Sequence, residues 1–207
     1  MRNPRILLAY LYTVPARGAL VVAGLFLSLW ASTAVRAAGG DVAVAQYQVW
    51  LPFAVVQIFA VGWSFVFGWI LDRVSRVAGV VLSMAMSIVA YGSMYFVETP
   101  LDLRMLPLFA LLGASMASGM MSSAALVGQE APPAKRGAVI GLLSLFGSAG
   151  IILAATYGGE LFSAATPWAP FLLIAGAQAV VLVVALVVWV VAPGDWKPGP
   201  RAAMGRH

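Results

Sequence analysis

Cysteine is missing from this 207-residue chain, and the one histidine is its last residue, His207. Disulfides, thiolate metal sites and cysteine nucleophiles are thereby excluded. A histidine-based metal site or catalytic triad inside the fold has no residue to be built from. Charge is the second scarcity: 9% of residues are charged and 62% are hydrophobic, with mean hydropathy +0.97. A soluble domain carries roughly 25% charged residues. So few charges cannot cover a globular surface, so the chain reads as an integral membrane protein in contact with a lipid bilayer. No G-x-x-x-x-G-K-[ST] run is present, so no nucleotide-cradling loop drives it directly. The net charge of +5 does not indicate nucleic acid, because the basic residues are scattered at the ends of apolar segments rather than gathered in a stripe.

What is present is a series of membrane-length apolar runs. They predict an all-α membrane protein with six transmembrane helices, at about Ile6–Val35, Val49–Leu71, Val77–Val97, Met105–Val127, Gly137–Tyr157 and Phe171–Ala192. The first is read as one long helix interrupted at Pro15, Arg17 and Gly18. A signal peptide cleaved near Ala19 is the alternative, disfavoured because apolar character resumes at Leu20. The domain expectation is a six-helix unit over 1–192 and a disordered cytoplasmic tail over 193–207, which contains Pro193, Pro198 and Pro200.

Counting basic residues orients the spans. One side carries Arg2, Arg5, Arg73, Arg76, Lys135, Arg136, Lys197, Arg201 and Arg206, and the other only Arg36 and Arg104. The positive-inside rule then places both termini in the cytoplasm, in a cytoplasmic or inner membrane. The opposite loops hold Asp41, Glu98, Asp102 and Glu160 and are net acidic.

Few polar side chains fall within the spans. Arg17 lies about 16 Å along the first helix at ~1.5 Å per residue, near the midplane, where a charge normally faces a cavity or partner. Pro15 and Gly18 flank it, as in a helix broken beside a binding site. Alternatively the membrane core begins near Ala19 and Arg17 snorkels as an anchor. Gln57 and Ser64 are seven residues apart, on one helical face, and could line a polar path or make interhelical hydrogen bonds. The small-residue stretch Gly113–Ser123 favours close helix packing, with Ser115, Met116 and Ser118 as substrate-contact candidates. Trp63 is a candidate stacking surface, with core packing the alternative. Gln178 is expected to make a packing hydrogen bond. No Asp or Glu falls inside any predicted span, so this chain supplies no obvious proton carrier. No Ser–His pair, paired intramembrane acids or metal ligands are available, so an enzyme is not expected, and no cofactor is called for.

Between the second and third spans stands Gly68-Trp69-Ile70-Leu71-Asp72-Arg73-Val74-Ser75-Arg76. It resembles the cytoplasmic loop signature of the major facilitator superfamily, G-x-L-a-D-r-x-G-r-k. Gly68, Asp72, Arg73 and Arg76 match, while Ile70, Ser75 and Val77 depart. Gly128 to Gly137, with Glu130, Pro132 and Arg136, is similar to the acidic-Pro-Arg-Gly loop before the fifth helix of a half. The fifth span, with Gly147, Gly150, Gly158 and Gly159, resembles the family's glycine-rich run, but Ala155 stands where its proline would be, so the drug–proton antiport linked to that proline is not carried over. The resemblance implies a half-bundle of 3+3 inverted repeats, similar to the second half of a twelve-span transporter. It further implies a cytoplasmic gate at Gly68, Asp72, Arg73, Arg76, Glu130 and Arg136. The function implied is secondary active transport of a small solute by alternating access, with a second six-helix half supplied by another chain or by a homodimer. The alternative is a truncated, non-transporting membrane protein or assembly partner.

Overall fold

The computed structural model describes residues 4–40 and 42–192, with the side chains of 42–49 outside the described set. The expected tail, 193–207, lies outside the described residues. Six helices are long and apolar enough to cross a membrane, and no strand occurs among the described residues. Helix α1 covers Pro4–Ala37, α2 Val42–Leu71 and α3 Arg76–Phe96, whose last turn is 3-10. Helix α4 covers Leu106–Glu130, α5 Arg136–Ala164 and α6 Ala169–Val191. Pro107 and Pro170 sit in the first turns of α4 and α6, where a missing N–H costs nothing.

Several boundaries differ from expectation. Helix α1 is not broken at Pro15, Arg17 or Gly18. Pro15 is buried within continuous helix, a placement that neighbouring helices make tolerable in membranes. The irregularity lies further on, as a π-helical turn over Val22–Phe26, which admits one extra residue. Helix α4 runs past Val127 to Glu130, so Gln129 and Glu130 are helical rather than loop residues. Helix α5 continues beyond Tyr157 through Gly158-Gly159 to Ala164. Gly158 is required there by packing, since a Cβ would meet the Phe26 ring at 2.8 Å. Glu160 therefore lies in the last turns of α5, exposed, rather than in a loop.

The closest helix pairs are α1 with α5 and α2 with α4. Helix α6 packs on α3 and α1, α3 on α4, and α1 on α4. Exchanging α1 for α4, α2 for α5 and α3 for α6 maps this set of neighbourhoods onto itself. The two triples run in opposite directions, because the start of α1 meets the end of α4 through Arg5 and Glu130. Glycines make both leading contacts. At Gly150 a Cβ would overlap the Val14 carbonyl oxygen, and at Gly113 it would overlap that of Val56. Without water to drive apolar surfaces together, such backbone-close crossings are what holds membrane helices to one another.

The interior has two apolar clusters. One gathers Phe26, Trp30, Tyr91, Met94, Phe109 and Phe171. The other gathers Ile6, Leu8, Tyr12, Val80, Met84, Leu126 and Val139 toward the opposite end. Between them lies a layer of small residues and hydroxyls. Tyr12 Oη and Ser83 Oγ share a hydrogen bond of 2.8 Å, and Tyr91 Oη donates to the Ala19 carbonyl at 2.7 Å. Buried hydroxyls with partners fix helix register, since unpaired ones in hydrocarbon would cost several kcal/mol.

Candidate functional site: a polar layer at one end and an open arginine at mid-depth

The end of the bundle that holds the start of α1 and the ends of α2, α4 and α6 is tied by arginines. Arg5 Nη1 pairs with Glu130 Oε1 at 2.9 Å, and Arg5 Nε donates to the Ala192 carbonyl at 3.0 Å. Arg76 Nη1 donates to the Leu71 carbonyl at 2.7 Å, and its Nε donates to Gln129 Oε1 at 3.2 Å. Arg136 Nη2 donates to the Gly128 carbonyl at 3.1 Å. Three guanidinium groups, from the starts of α1, α3 and α5, thus converge on the last turn of α4. That turn is the negative end of a helix dipole, and Glu130 adds a formal charge. The Arg5 and Glu130 side chains are 25% and 14% exposed, shielded enough for a charge-assisted bond to count.

The expected gate residues are brought together unevenly. Arg76, Glu130 and Arg136 belong to this layer. Asp72 lies at its edge, 67% exposed, with its Oδ1 3.9 Å from Arg76 Nη2. Arg73 points away, its guanidinium 3.6 Å over the Trp69 ring and donating to the Trp69 carbonyl. Gly68 lets α2 approach α4, since a Cβ there would lie 3.3 Å from the Met121 methyl. Ser75, which departs from the signature's glycine, caps α3: its Oγ accepts from the Ala78 N–H at 3.2 Å. Sequence reasoning missed Arg5 and Gln129. Arg5 was counted only as a topology charge, and Gln129 was placed in a loop. A helical reading carried three residues past Val127 would have set Gln129 and Glu130 on the end of α4.

Arg17 lies about 20 Å from the start of α1, at ~1.5 Å per residue. Helix α1 shares its end with α4 and α6, which are 25 and 23 residues long, so this is the middle of the bundle. The side chain is exposed and makes no hydrogen bond or ion pair among the described residues. It lies along α5 at Gly147, where a Cβ would come 3.0 Å from Arg17 Cγ. A charge at such depth costs at least ~2.5–3.5 kcal/mol unless water or a partner receives it.

The other cavity candidates divide. Gln57 is exposed on α2. Trp63 borders a shallow apolar recess of about 300 Å³ with Ile58, Phe59, Gly62 and Val66, and its Nε1 donates to Ser118 Oγ at 2.8 Å. Ser118 and Ser115 are buried. Ser118 Oγ also donates to the Ala114 carbonyl and Ser115 Oγ to that of Leu112, so neither offers a free hydroxyl to an open face. Ser64 Oγ turns back to the Val61 carbonyl at 2.6 Å. Met116 is partly buried against the apolar cluster. Gln178 is buried, but its Oε1 has no hydrogen-bond partner among the described residues, so the expected packing bond is not made by that oxygen.

Residues 18–206 match the family model described as Major Facilitator Superfamily. The chain belongs to that superfamily. As the loop signature at Gly68–Arg76 implied, its described residues hold six membrane-length helices, the number in one half of a transporter of this family. The superfamily consists of transporters rather than enzymes. Two curated relatives carry magnetosome names. The magnetosome protein MamH of Paramagnetospirillum magneticum is 29% identical over 174 residues, covering 82% of this chain and 39% of MamH. The magnetosome protein MamZ of Magnetospirillum gryphiswaldense is 27% identical over 217 residues, covering 95% of this chain and 32% of MamZ. The chain therefore spans 32–39% of the length of these relatives.

Proposed function

We propose that this chain forms one half of a secondary active transporter that moves a small solute by alternating access. A second six-helix half, from another chain or a second copy, would supply the opposite wall. The observation that carries the reading is Arg17, an open, unpaired charge at mid-depth. Lipid tails cannot receive it, whereas a water-filled path between two halves can. The large exposed faces of α2 and α5 support a second half packed beside them. The arginine layer around Glu130 supports a gate at the end of the bundle that holds Pro4 and Ala192, and the excess of basic residues on that side supports a cytoplasmic orientation. Asp72 contributes to that gate through Arg76, and Arg73 anchors the turn on Trp69.

Both relatives are magnetosome proteins by name, which supports the membrane of that organelle as a location beside the cytoplasmic membrane. The test is flux from proteoliposomes loaded with a panel of labelled solutes, with this chain alone and with candidate second halves. Flux in at least one pairing that is lost with either half omitted is the expected result. Stable insertion with no flux in any pairing would leave an assembly partner without transport activity.

A further inference from the structure

We propose that Arg17 is the anchor for an anionic group on the solute, so that the chain handles small carboxylate- or phosphate-bearing anions. This inference rests on the transport reading above and names the substrate class of that same site. Three observations lead to it. First, Arg17 is held in place without being neutralised: its stem lies in the groove left by Gly147, and its guanidinium makes no ion pair or hydrogen bond among the described residues.

Second, no acid among the described residues stands at its depth. Among the described residues the carboxylates are Asp72, Glu98, Asp102, Glu130 and Glu160, all in loops or in the terminal turns of helices. Third, donors line one side of the groove. Ser144 and Ser148 lie one turn apart on the same side of Gly147 in α5, are exposed, and make no hydrogen bond among the described residues. Ser64, Ser115 and Ser163, by contrast, turn back onto their own helices. A planar guanidinium with two hydroxyl donors nearby suits a group with two or three oxygens.

A carboxylate fixed on the second half is the competing partner. Such a pair would join two halves that move against each other, and each cycle would strip the arginine of its counter-charge. Breaking a desolvated pair is strongly unfavourable. An anion that travels with the cycle avoids this.

The cysteine-free chain allows a direct test in native membranes, with Ser148→Cys as the reporter. Its modification rates are measured with an anionic and a cationic methanethiosulfonate reagent, each normalised to its rate on a free thiol. An anionic preference of about tenfold is expected from one unneutralised charge nearby. Arg17→Gln should erase the preference and Arg17→Lys should keep it. Equal preferences with Arg17 and with Arg17→Gln would overturn the anion assignment while leaving the open transport face intact. A cationic preference would overturn it in favour of a carboxylate from the second half. No reaction with either reagent would show the face sealed, and would overturn this assignment and the transport reading together.

Discussion

Replacing Gly150 by alanine tests the packing on which the bundle depends. The added Cβ would overlap the Val14 carbonyl oxygen and lie 2.8 Å from the Val14 carbonyl carbon and 2.9 Å from its Cα. Carbon–carbon contacts are comfortable at about 3.5–4.0 Å, so α1 and α5 must part by about 1 Å. All three atoms are main chain, so no rotamer change can relieve the clash. Overpacking costs about 1–3 kcal/mol, and alanine's advantage over glycine within a helix returns about 0.5–1 kcal/mol. The net expectation is a loss of about 1–2 kcal/mol. It would be read from SDS titration in mixed micelles, followed by tryptophan fluorescence and helical circular dichroism. Gly113→Ala, which meets the Val56 backbone at the α2–α4 crossing, should lose a similar amount. Gly176→Ala in α6, with nothing within 4 Å of its added Cβ, is the control and should be neutral or slightly stabilising. If Gly150→Ala unfolds at the same SDS fraction as Gly176→Ala, the crossing is not as close as argued and the reasoning fails.

A double-mutant cycle on Arg5→Ala and Glu130→Ala should give a coupling of about 1–2 kcal/mol in the same titration; a value near zero would mean that the pair only marks topology. Ser75→Ala should cost about 1 kcal/mol through loss of the α3 cap, while Ser75→Gly, the signature's own residue, should cost only a few tenths. Equal losses for the two variants would remove the capping account.

The six spans were legible because length and apolar content are properties of each segment alone, and the loop signature marked the turn at Asp72 because its charges cluster between two uncharged runs. What could not be read were relations between distant segments. Arg5 becomes the partner of Glu130 and Ala192 only when the ends of α1, α4 and α6 meet. Pro15 suggested a break, but burial against neighbouring helices keeps α1 continuous there, and the π turn at Val22–Phe26 carries no local marker of its own. Gly158 was legible only as part of a glycine-rich run, whereas it is the clearance that Phe26 and Pro170 need. Ser115 and Ser118 suggested solute contact because a serine's type does not reveal that its hydroxyl is already spent on a carbonyl one turn back. Arg17 was legible as a charge within the first helix. That its side chain lies open along α5 was not.

The hydrogen bond from Arg5 to the Ala192 carbonyl also bears on how such units can be strung together. It sets the entrance of the first helix beside the exit of the last, at one end of the bundle. Two copies of this fold can then be joined head to tail by a short polar linker on that side, with no extra crossing and no inversion of either copy. The same closeness allows the chain to be reopened elsewhere and its ends spliced. The six-helix body is thus a closed module that a longer protein can hold in tandem without disturbing its internal contacts.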